Sequence, residues 1–339
     1  MPNANYELRE TTDGSFTYFS KAYGQSYHSV KEGAVSETLY KHVIPAFKHC
    51  QDKDEIVILD ICFGLGLNTL TSIWYNQEHN QKKLKIYSPE LDAKLISSLK
   101  NLPYPKELQP LLPILKILVE TKHYKDENLD IELFIGDARE YVRKFENFFD
   151  VVYQDAFSPD VNPMLWTVEY FADINTAIKK EGILTSYSIA LPTRMALEVN
   201  GFIVYVHEGE QFRKSTLASL SVLENYDKVN IGHKRALNPN VRPLVDKLDS
   251  DYEVPTAKLI LFLFIVGLTS FFGTFISVRD YIHTGSLKTK MYHQYFYDDQ
   301  ALFLSISISA LGCLFIYYAF KLFKKRKVLL KKLKSNLML

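Results

Sequence analysis

Hydrophobic and polar positions divide this chain into two unlike parts. The long first part alternates short apolar, β-branched runs with longer segments of mixed polarity, a pattern of buried strands separated by helices. Glu55 to Ile61 (EIVILDI) predicts a buried parallel strand that runs into the glycine turn Cys62-Phe63-Gly64-Leu65-Gly66-Leu67-Asn68, followed by a helix over Thr69 to Tyr75. Lys85 to Glu90 predicts a second strand, Ile131 to Ile135 a third ending in Gly136-Asp137-Ala138, and Phe149 onward a fourth ending at Asp155. Val168 to Lys179 predicts a helix and Gly182 to Tyr187 a fifth strand. Strand, glycine turn and helix open a doubly wound α/β fold with a parallel sheet.

The last part reads differently. Leu259 to Val278 and Ala301 to Phe320 are each twenty residues without a charge, and their most polar positions are Ser, Thr and Gly. A helix needs about 20 such residues to cross a hydrocarbon core, and an ordinary core helix would show a polar face. They predict a membrane hairpin over 257–323, with spans at 259–278 and 301–320. A polar linker over 247–256 precedes it and a basic tail over 324–339 follows.

Composition confirms a well-cored chain: 339 residues, 47% hydrophobic and 23% charged, which excludes disorder. The formal charge of +1 hides an asymmetry. Twelve basic and three acidic residues lie from Lys258 onward, giving +9, and 28 basic against 36 acidic before it give −8. The stretch Lys321 to Lys334 carries eight basic residues and no acid, whereas the connection from Arg279 to Gln300 is balanced at three and three. Basic flanks stay on the cytoplasmic side, so the tail and, two spans earlier, the body are expected to face the cytoplasm from the cytoplasmic membrane. Anionic lipid headgroups would suit the tail. Cys50, Cys62 and Cys313 show neither a disulfide framework nor zinc spacing, and with no basic and apolar opening at the N-terminus no cleaved signal peptide is expected.

The chemistry lies at the strand ends. Gly64 and Gly66 let a ligand approach backbone that a Cβ would shield. Glu90, 24 positions after Gly66, stands where such folds bind ribose hydroxyls, and Asp137 and Asp155 follow at later strand ends. A dinucleotide site would place a third glycine near Thr69 for helix packing. Carboxylates in series instead suit S-adenosylmethionine, which has no phosphate but carries cations, a ribose and an adenine amine. Each acid taken singly also suits an N-cap or a turn.

Three separated motifs resemble one family. Thr12-Asp13-Gly14-Ser15-Phe16-Thr17, Tyr27-His28-Ser29, Gly33-Ala34 and Glu37 resemble the opening of the methyltransferase domain of tRNA 5-methylaminomethyl-2-thiouridine-forming enzymes, MnmC-like. Phe63-Gly64-Leu65-Gly66-Leu67-Asn68 is similar to its FGxGLN turn, and Asp155-Ala156-Phe157-Ser158-Pro159 with Asn162-Pro163 and Leu165-Trp166-Thr167 to its DxFxPxxNPxxW segment. The likeness runs from about residue 8 to about 220.

The resemblance implies a class I, Rossmann-like methyltransferase that passes a methyl group from S-adenosyl-L-methionine to the aminomethyl nitrogen of the tRNA wobble uridine, with no metal. It implies cofactor contacts from Asp60, Phe63, Gly64, Gly66, Asn68, Glu90, Asp137, Ala138 and Asp155, with Asp155 also facing the acceptor amine as base or orienting group. Tyr27 and His28 would form a lid, and Phe157, Pro159, Asn162 and Trp166 would hold the nucleoside. Trp166 equally suits core packing. Some members fuse an FAD-dependent oxidase behind this domain; here no second glycine fingerprint exists, so no FAD is expected. A body at −8 would depend on local basic patches to bind tRNA: Arg139-Arg143-Lys144, Arg194, Arg213-Lys214 and His233-Lys234-Arg235. Methylation of another amine, or a non-catalytic adaptor with a nucleoside pocket, would use the same fold.

Overall fold

The computed structural model describes residues 5–246 and, beyond them, 261, 265, 268, 270, 279, 288–291, 294–297, 307, 308, 310, 312–321 and 323. The chain forms two compact units, Met1–Lys247 and Leu248–Leu339. The first opens with β1 (Tyr6–Glu10), β2 (Phe16–Ser20) and β3 (Gln25–Ser26), a small antiparallel sheet of their own. A helical run follows: α1 (Ala34–Thr38), a π-helical turn over Leu39–Val43, and α2 (Ile44–His49).

Strands and helices then alternate: β4 (Glu55–Ile61), α3 (Leu67–His79), β5 (Lys83–Glu90), α4 (Ala93–Ser98), α5 (Leu112–Thr121), β6 (His123–Lys125), β7 (Leu129–Ile135) and α6 (Ala138–Val142). The unit continues with β8 (Phe149–Gln154), α7 (Val168–Ala177), β9 (Ile178–Ser186), α8 (Leu191–Val199), β10 (Ile203–Gly209), β11 (Phe212–Ser219), β12 (Asp227–Lys228) and α9 (Ile231–Leu237). Nine strands form one sheet in the order β12-β10-β11-β9-β8-β4-β5-β7-β6. β7, β5, β4, β8 and β9 are parallel, while β6 and β11 run antiparallel to their inner neighbours.

Side-chain alternation along β4 shows why this sheet is covered on both faces. Ile56 and Ile58 pack into one core with Phe47, Leu70, Ile73 and Leu115; Val57, Leu59 and Ile61 pack into a second with Tyr141, Phe171, Ile174 and Leu197. Helices α2, α3 and α5 therefore lie on one side, and α6, α7 and α8 on the other. Truncating a fully buried member such as Leu59 to alanine would cost about 2–5 kcal/mol.

The first strand matches the expected Glu55 to Ile61, and the next two begin two residues earlier than the apolar pattern suggested. The expected helix over Val168 to Lys179 stops at Ala177, because Ile178 is already extended and pairs with Phe149 ahead of a register break in β9. The N-terminal sheet, α4, α5 and the β10–β11 hairpin carry no expectation from the sequence.

In the second unit β13 (Lys288–Met291) and β14 (Gln294–Tyr297) form an antiparallel hairpin within the connection between the two expected spans. Residues 312–321 are helical, as are the described positions of 261–270. Most of the expected membrane segments, the linker and the tail lie outside the described residues. Among the described residues no helix is long and apolar enough to cross a membrane.

Candidate active site

The strand order reverses between β4 and β8, whose C-terminal ends, with those of β5 and β7 alongside, form the edge at which open α/β sheets bind ligands. β4 hands the chain to α3 through a turn in which Cys62 (φ 68°), Gly64 (φ 55°) and Gly66 (φ 71°) are left-handed. A Cβ on Gly66 would stand 2.8 Å from the Phe63 ring, so conformation and packing both demand glycine. Phe63 itself is buried, its N–H donating to the Pro89 carbonyl at 3.1 Å.

Glu90 ties β5 to this turn. Its Oε2 accepts the Gly64 backbone N–H at 2.9 Å and its Oε1 accepts that of Asp92 at 2.8 Å. Burial pushes its carboxyl pKa up, against the pull of these amides. The Gly136 N–H donates to the Glu90 carbonyl at 3.0 Å, which brings the end of β7 alongside. There Asp137 caps α6, accepting the Arg139 N–H at 2.8 Å, and Ala138 is the first residue of that helix.

Asp60 lies behind the turn, wholly buried. Its oxygens accept from Asn68 Nδ2 at 3.1 Å and Thr69 Oγ1 at 2.9 Å, and burial pushes its carboxyl up to about 7 against those two bonds. It reaches the site through Asn68, whose Nδ2 also donates to Asp155 Oδ2 at 3.0 Å. Asn68 Oδ1 is buried without a partner. An unpaired oxygen, a row of strand-end carboxylates and a turn open to close approach fit a ligand that brings an ammonium, ribose hydroxyls and an adenine amine.

Asp155, just past β8, lines a pocket of about 780 Å³ together with Tyr27, His28, Phe157, Tyr187 and Phe212. Burial would raise its pKa; the His42 ring beside it, His28 and the Asn68 amide outweigh burial and hold the carboxyl below the usual range. His42 is fully buried, with Nδ1 2.7 Å from Thr185 Oγ1 and Nε2 3.6 Å from Asp155 Oδ1. Lys41, next in the same turn, is also buried and pairs with Glu32 at 2.9 Å and Glu37 at 3.0 Å on another wall. The sequence motifs single out neither His42 nor Lys41 nor Thr185, because only the packing of the π-helical turn against β8 and β9 brings His42 and Thr185 to Asp155 and Lys41 to the pocket.

The N-terminal sheet closes over this pocket. Tyr27 packs on Phe157 at 4.7 Å between ring centroids and Tyr23 on the same ring at 4.8 Å, while Gln25 Oε1 accepts from the Ser158 N–H at 3.3 Å. Tyr6 hydrogen-bonds Asp92, just past the end of β5. His28 is buried, its Nδ1 has no partner, and burial lowers its pKa.

Trp166 does not wall the pocket. It is wholly buried and donates its Nε1 proton to the Phe157 carbonyl at 2.8 Å, so it supports the loop from behind. Pro159 and Asn162 are half-buried on that loop and are not among the residues lining the pocket. Two of the arginines expected to meet a polyanion are internal. Arg194 is buried, donating to Thr216 Oγ1 at 2.9 Å and to the Ser215 carbonyl at 3.2 Å, and Arg139 pairs with Asp246. Exposed cations remain at Arg213 and Lys214 on the pocket rim and at Lys234 and Arg235 on α9.

Residues 104–221 match a family described as S-adenosyl-L-methionine-dependent methyltransferase. The crystal structure of MnmC2 from Aquifex aeolicus is 34% identical, superposes with a TM-score of 0.64, and covers 73% of this chain and 80% of its own. An uncharacterized protein of Methanocaldococcus jannaschii is 30% identical over 244 residues, which make up 70% of this chain and 61% of that protein. The tRNA 5-methylaminomethyl-2-thiouridine biosynthesis bifunctional protein MnmC of an Azoarcus species is 30% identical over 218 residues, 60% of this chain and 34% of its own length.

Proposed function

The chain belongs to the S-adenosyl-L-methionine-dependent methyltransferases of the MnmC family, and we propose that it methylates the aminomethyl nitrogen of the wobble uridine in tRNA, forming 5-methylaminomethyl(-2-thio)uridine. The observation that carries this reading is the position of Asp155. It is joined through Asn68 to the glycine turn and opens on a pocket walled by Tyr27, Phe157 and Tyr187, rings that suit an extruded base.

S-adenosyl-L-methionine, when bound, supplies a methyl group already activated by its sulfonium. The residues of the chain then have two tasks, to align the acceptor nitrogen and to manage its proton. An alkylamine is mostly protonated at neutral pH and attacks only through its free lone pair. Asp155, held ionised, accepts the ammonium proton or holds the remaining N–H groups so that the lone pair points toward the methyl carbon. Gly64, Gly66 and Asn68 would hold the methionine end of the cofactor, Glu90 the ribose, and Asp137 with Ala138 the adenine.

The test is incubation of the purified chain with S-adenosyl-L-methionine and tRNA bearing 5-aminomethyl-2-thiouridine, followed by nucleoside mass spectrometry. A gain of one methyl on that nucleoside is expected; its absence with active, cofactor-bound protein overturns the tRNA reading. A small free amine is the second acceptor, favoured by Glu32, Glu37 and Glu208 around the pocket. Methyl transfer to such an amine without tRNA would select it.

For the second unit we propose anchoring to the cytoplasmic membrane through 259–278 and 301–320, with the catalytic unit and the tail facing the cytoplasm. The uncharged runs and the eight basic residues after them support this. Exposed Leu314, Tyr317, Tyr318 and Phe320 on the described helical stretch are in keeping with it. A cytoplasmic reporter fused after Leu339 is expected to be active, and an inactive one would refute the orientation.

A further inference from the structure

His42 has no place in the motifs, yet it is the fully buried group beside the carboxylate that opens on the pocket. Its two ring nitrogens face different partners: Nδ1 lies 2.7 Å from Thr185 Oγ1, and Nε2 lies 3.6 Å from Asp155 Oδ1. A carboxylate offers lone pairs only, so an unprotonated Nε2 aimed at it would be repelled. The arrangement favours the tautomer in which Thr185 donates its O–H to Nδ1 and the ring proton sits on Nε2, toward Asp155. At 3.6 Å the contact is just beyond hydrogen-bond length, and catalytic contacts of this kind commonly close when substrate binds.

We propose that His42 is a positioning residue for Asp155: its Nε2–H, with the tautomer set by Thr185, keeps the carboxylate ionised and oriented so that lone pairs on both oxygens remain for the acceptor amine. This rests on the reading that Asp155 meets the acceptor. Asn68 donates to the other oxygen at 3.0 Å, so one oxygen has a fixed donor, the other faces the Nε2 proton at 3.6 Å, and both keep spare capacity.

The other groups around the ring do not replace Asp155. Tyr153 on β8 meets it edge-on at 5.6 Å, and its phenol is engaged with Ser72 at 3.1 Å. His28, behind β3, and His207 on β10 are both held toward the neutral form by burial. Asp60 on β4 is shifted up to about 7, mainly by burial. Lys41, adjacent in the turn, is engaged by Glu32 and Glu37. Among these groups, Asp155 is the carboxylate that faces Nε2.

The experiment compares the full-length wild type with His42→Phe, which keeps a buried ring without a donor, and His42→Gln, whose amide restores an N–H near the Nε2 position. The Asp155 carboxyl titration is followed by carbon-13 NMR with S-adenosylhomocysteine bound, assigned against Asp155→Asn, and needs no acceptor. Expected are an upward shift of about one unit or more in Phe and its recovery in Gln. In turnover, kcat for Phe should fall roughly tenfold or more, with the acid limb moving to higher pH and KM for S-adenosyl-L-methionine unchanged. An unmoved Asp155 titration in His42→Phe overturns the proposal, as does a Gln variant no better than Phe. Should the Phe variant not fold, Thr185→Val removes the hydroxyl that sets the tautomer; a partial shift supports the proposal and none overturns it. A shifted titration in protein that never methylates the tRNA would uphold the pairing and reject the acceptor.

Discussion

Glu90 Oε2 accepts the backbone N–H of Gly64 at 2.9 Å, binding the end of β5 to the turn that leaves β4. The acid expected to meet a ribose is thus also the acid that shapes the glycine turn. With Oε1 taken by the Asp92 N–H, both carboxylate oxygens are engaged by backbone amides.

Glu90→Gln tests this double use. A glutamine has one acceptor oxygen, so one of the two backbone amides would face its NH₂ group, donor against donor. Losing that bond in a buried place costs about 1–3 kcal/mol, and we expect cofactor affinity to weaken by roughly tenfold or more. Calorimetric titration with S-adenosyl-L-methionine checks it; affinity within twofold of wild type would remove Glu90 from the site.

The two turn glycines separate strain from packing. Both sit at left-handed φ, but a Cβ on Gly64 would make ordinary contact with the Tyr27 ring at 3.4 Å, whereas on Gly66 it would press on Phe63 at 2.8 Å. Gly64→Ala should therefore cost about 1–2 kcal/mol of backbone strain, and Gly66→Ala more, since the buried Phe63 must also shift. Urea unfolding of the two variants gives the comparison, and equal midpoints would contradict it.

How much of this could be read from the sequence depended on whether a residue's role is local. EIVILDI is apolar at nearly every position because β4 is covered on both faces, and Glu90, Asp137 and Asp155 stand out because strand ends are where acids need a reason to be. β1 was not legible: YELRE is short, charged and mostly exposed, so its pattern is that of a loop. His42 was invisible because its partner Thr185 lies 143 positions away and its turn is π-helical, off the usual helical period. Trp166 and Arg194 misled for a common reason. Trp166 was expected to stack on a nucleoside and Arg194 to meet a polyanion, yet each is buried and donates to backbone or hydroxyl oxygens inside the protein.

Arg139 and Asp246 close the first unit. The pair is bidentate, Asp246 also accepts from Thr167 Oγ1 at 2.7 Å, and its backbone N–H donates to Glu169 at 2.8 Å. Asp246→Ala would leave the buried Arg139 guanidinium without its anion beside α6, whose N-cap is Asp137. We expect a loss of about 2–3 kcal/mol, below the full figure for a buried pair because Asp246 is partly solvated. Thermal unfolding checks this, and Arg139→Met with Asp246→Leu should recover part of the loss.

Acid should loosen the N-terminal sheet first, through Asp13. Its carboxylate accepts from Thr11 Oγ1 at 2.7 Å, from the Ser15 N–H at 3.0 Å and from the Ser36 N–H at 2.9 Å, joining the β1–β2 turn to the start of α1. A Cβ on Gly33 would collide with that carboxylate at 2.3 Å, which is why glycine stands there. Burial would raise the Asp13 pKa, but the Ser15, Thr11 and Ser36 bonds outweigh it and lower it from 3.8 to about 2. A carboxyl with a depressed folded pKa stabilises above its unfolded value and loses that contribution as pH falls through the folded one. Asp13 is only partly shielded from solvent, so screening reduces the contribution to about 1 kcal/mol. Wild type should therefore exceed Asp13→Asn by about that amount at pH 6, with the gap narrowing from pH 4 and nearly closed by pH 2. Urea unfolding across this range measures it. Because β3 leads directly to Tyr27 and His28 over the pocket, the same variant should raise KM for the acceptor more than for the cofactor, and a gap that stays constant with pH would show that the carboxylate charge is not what holds the sheet.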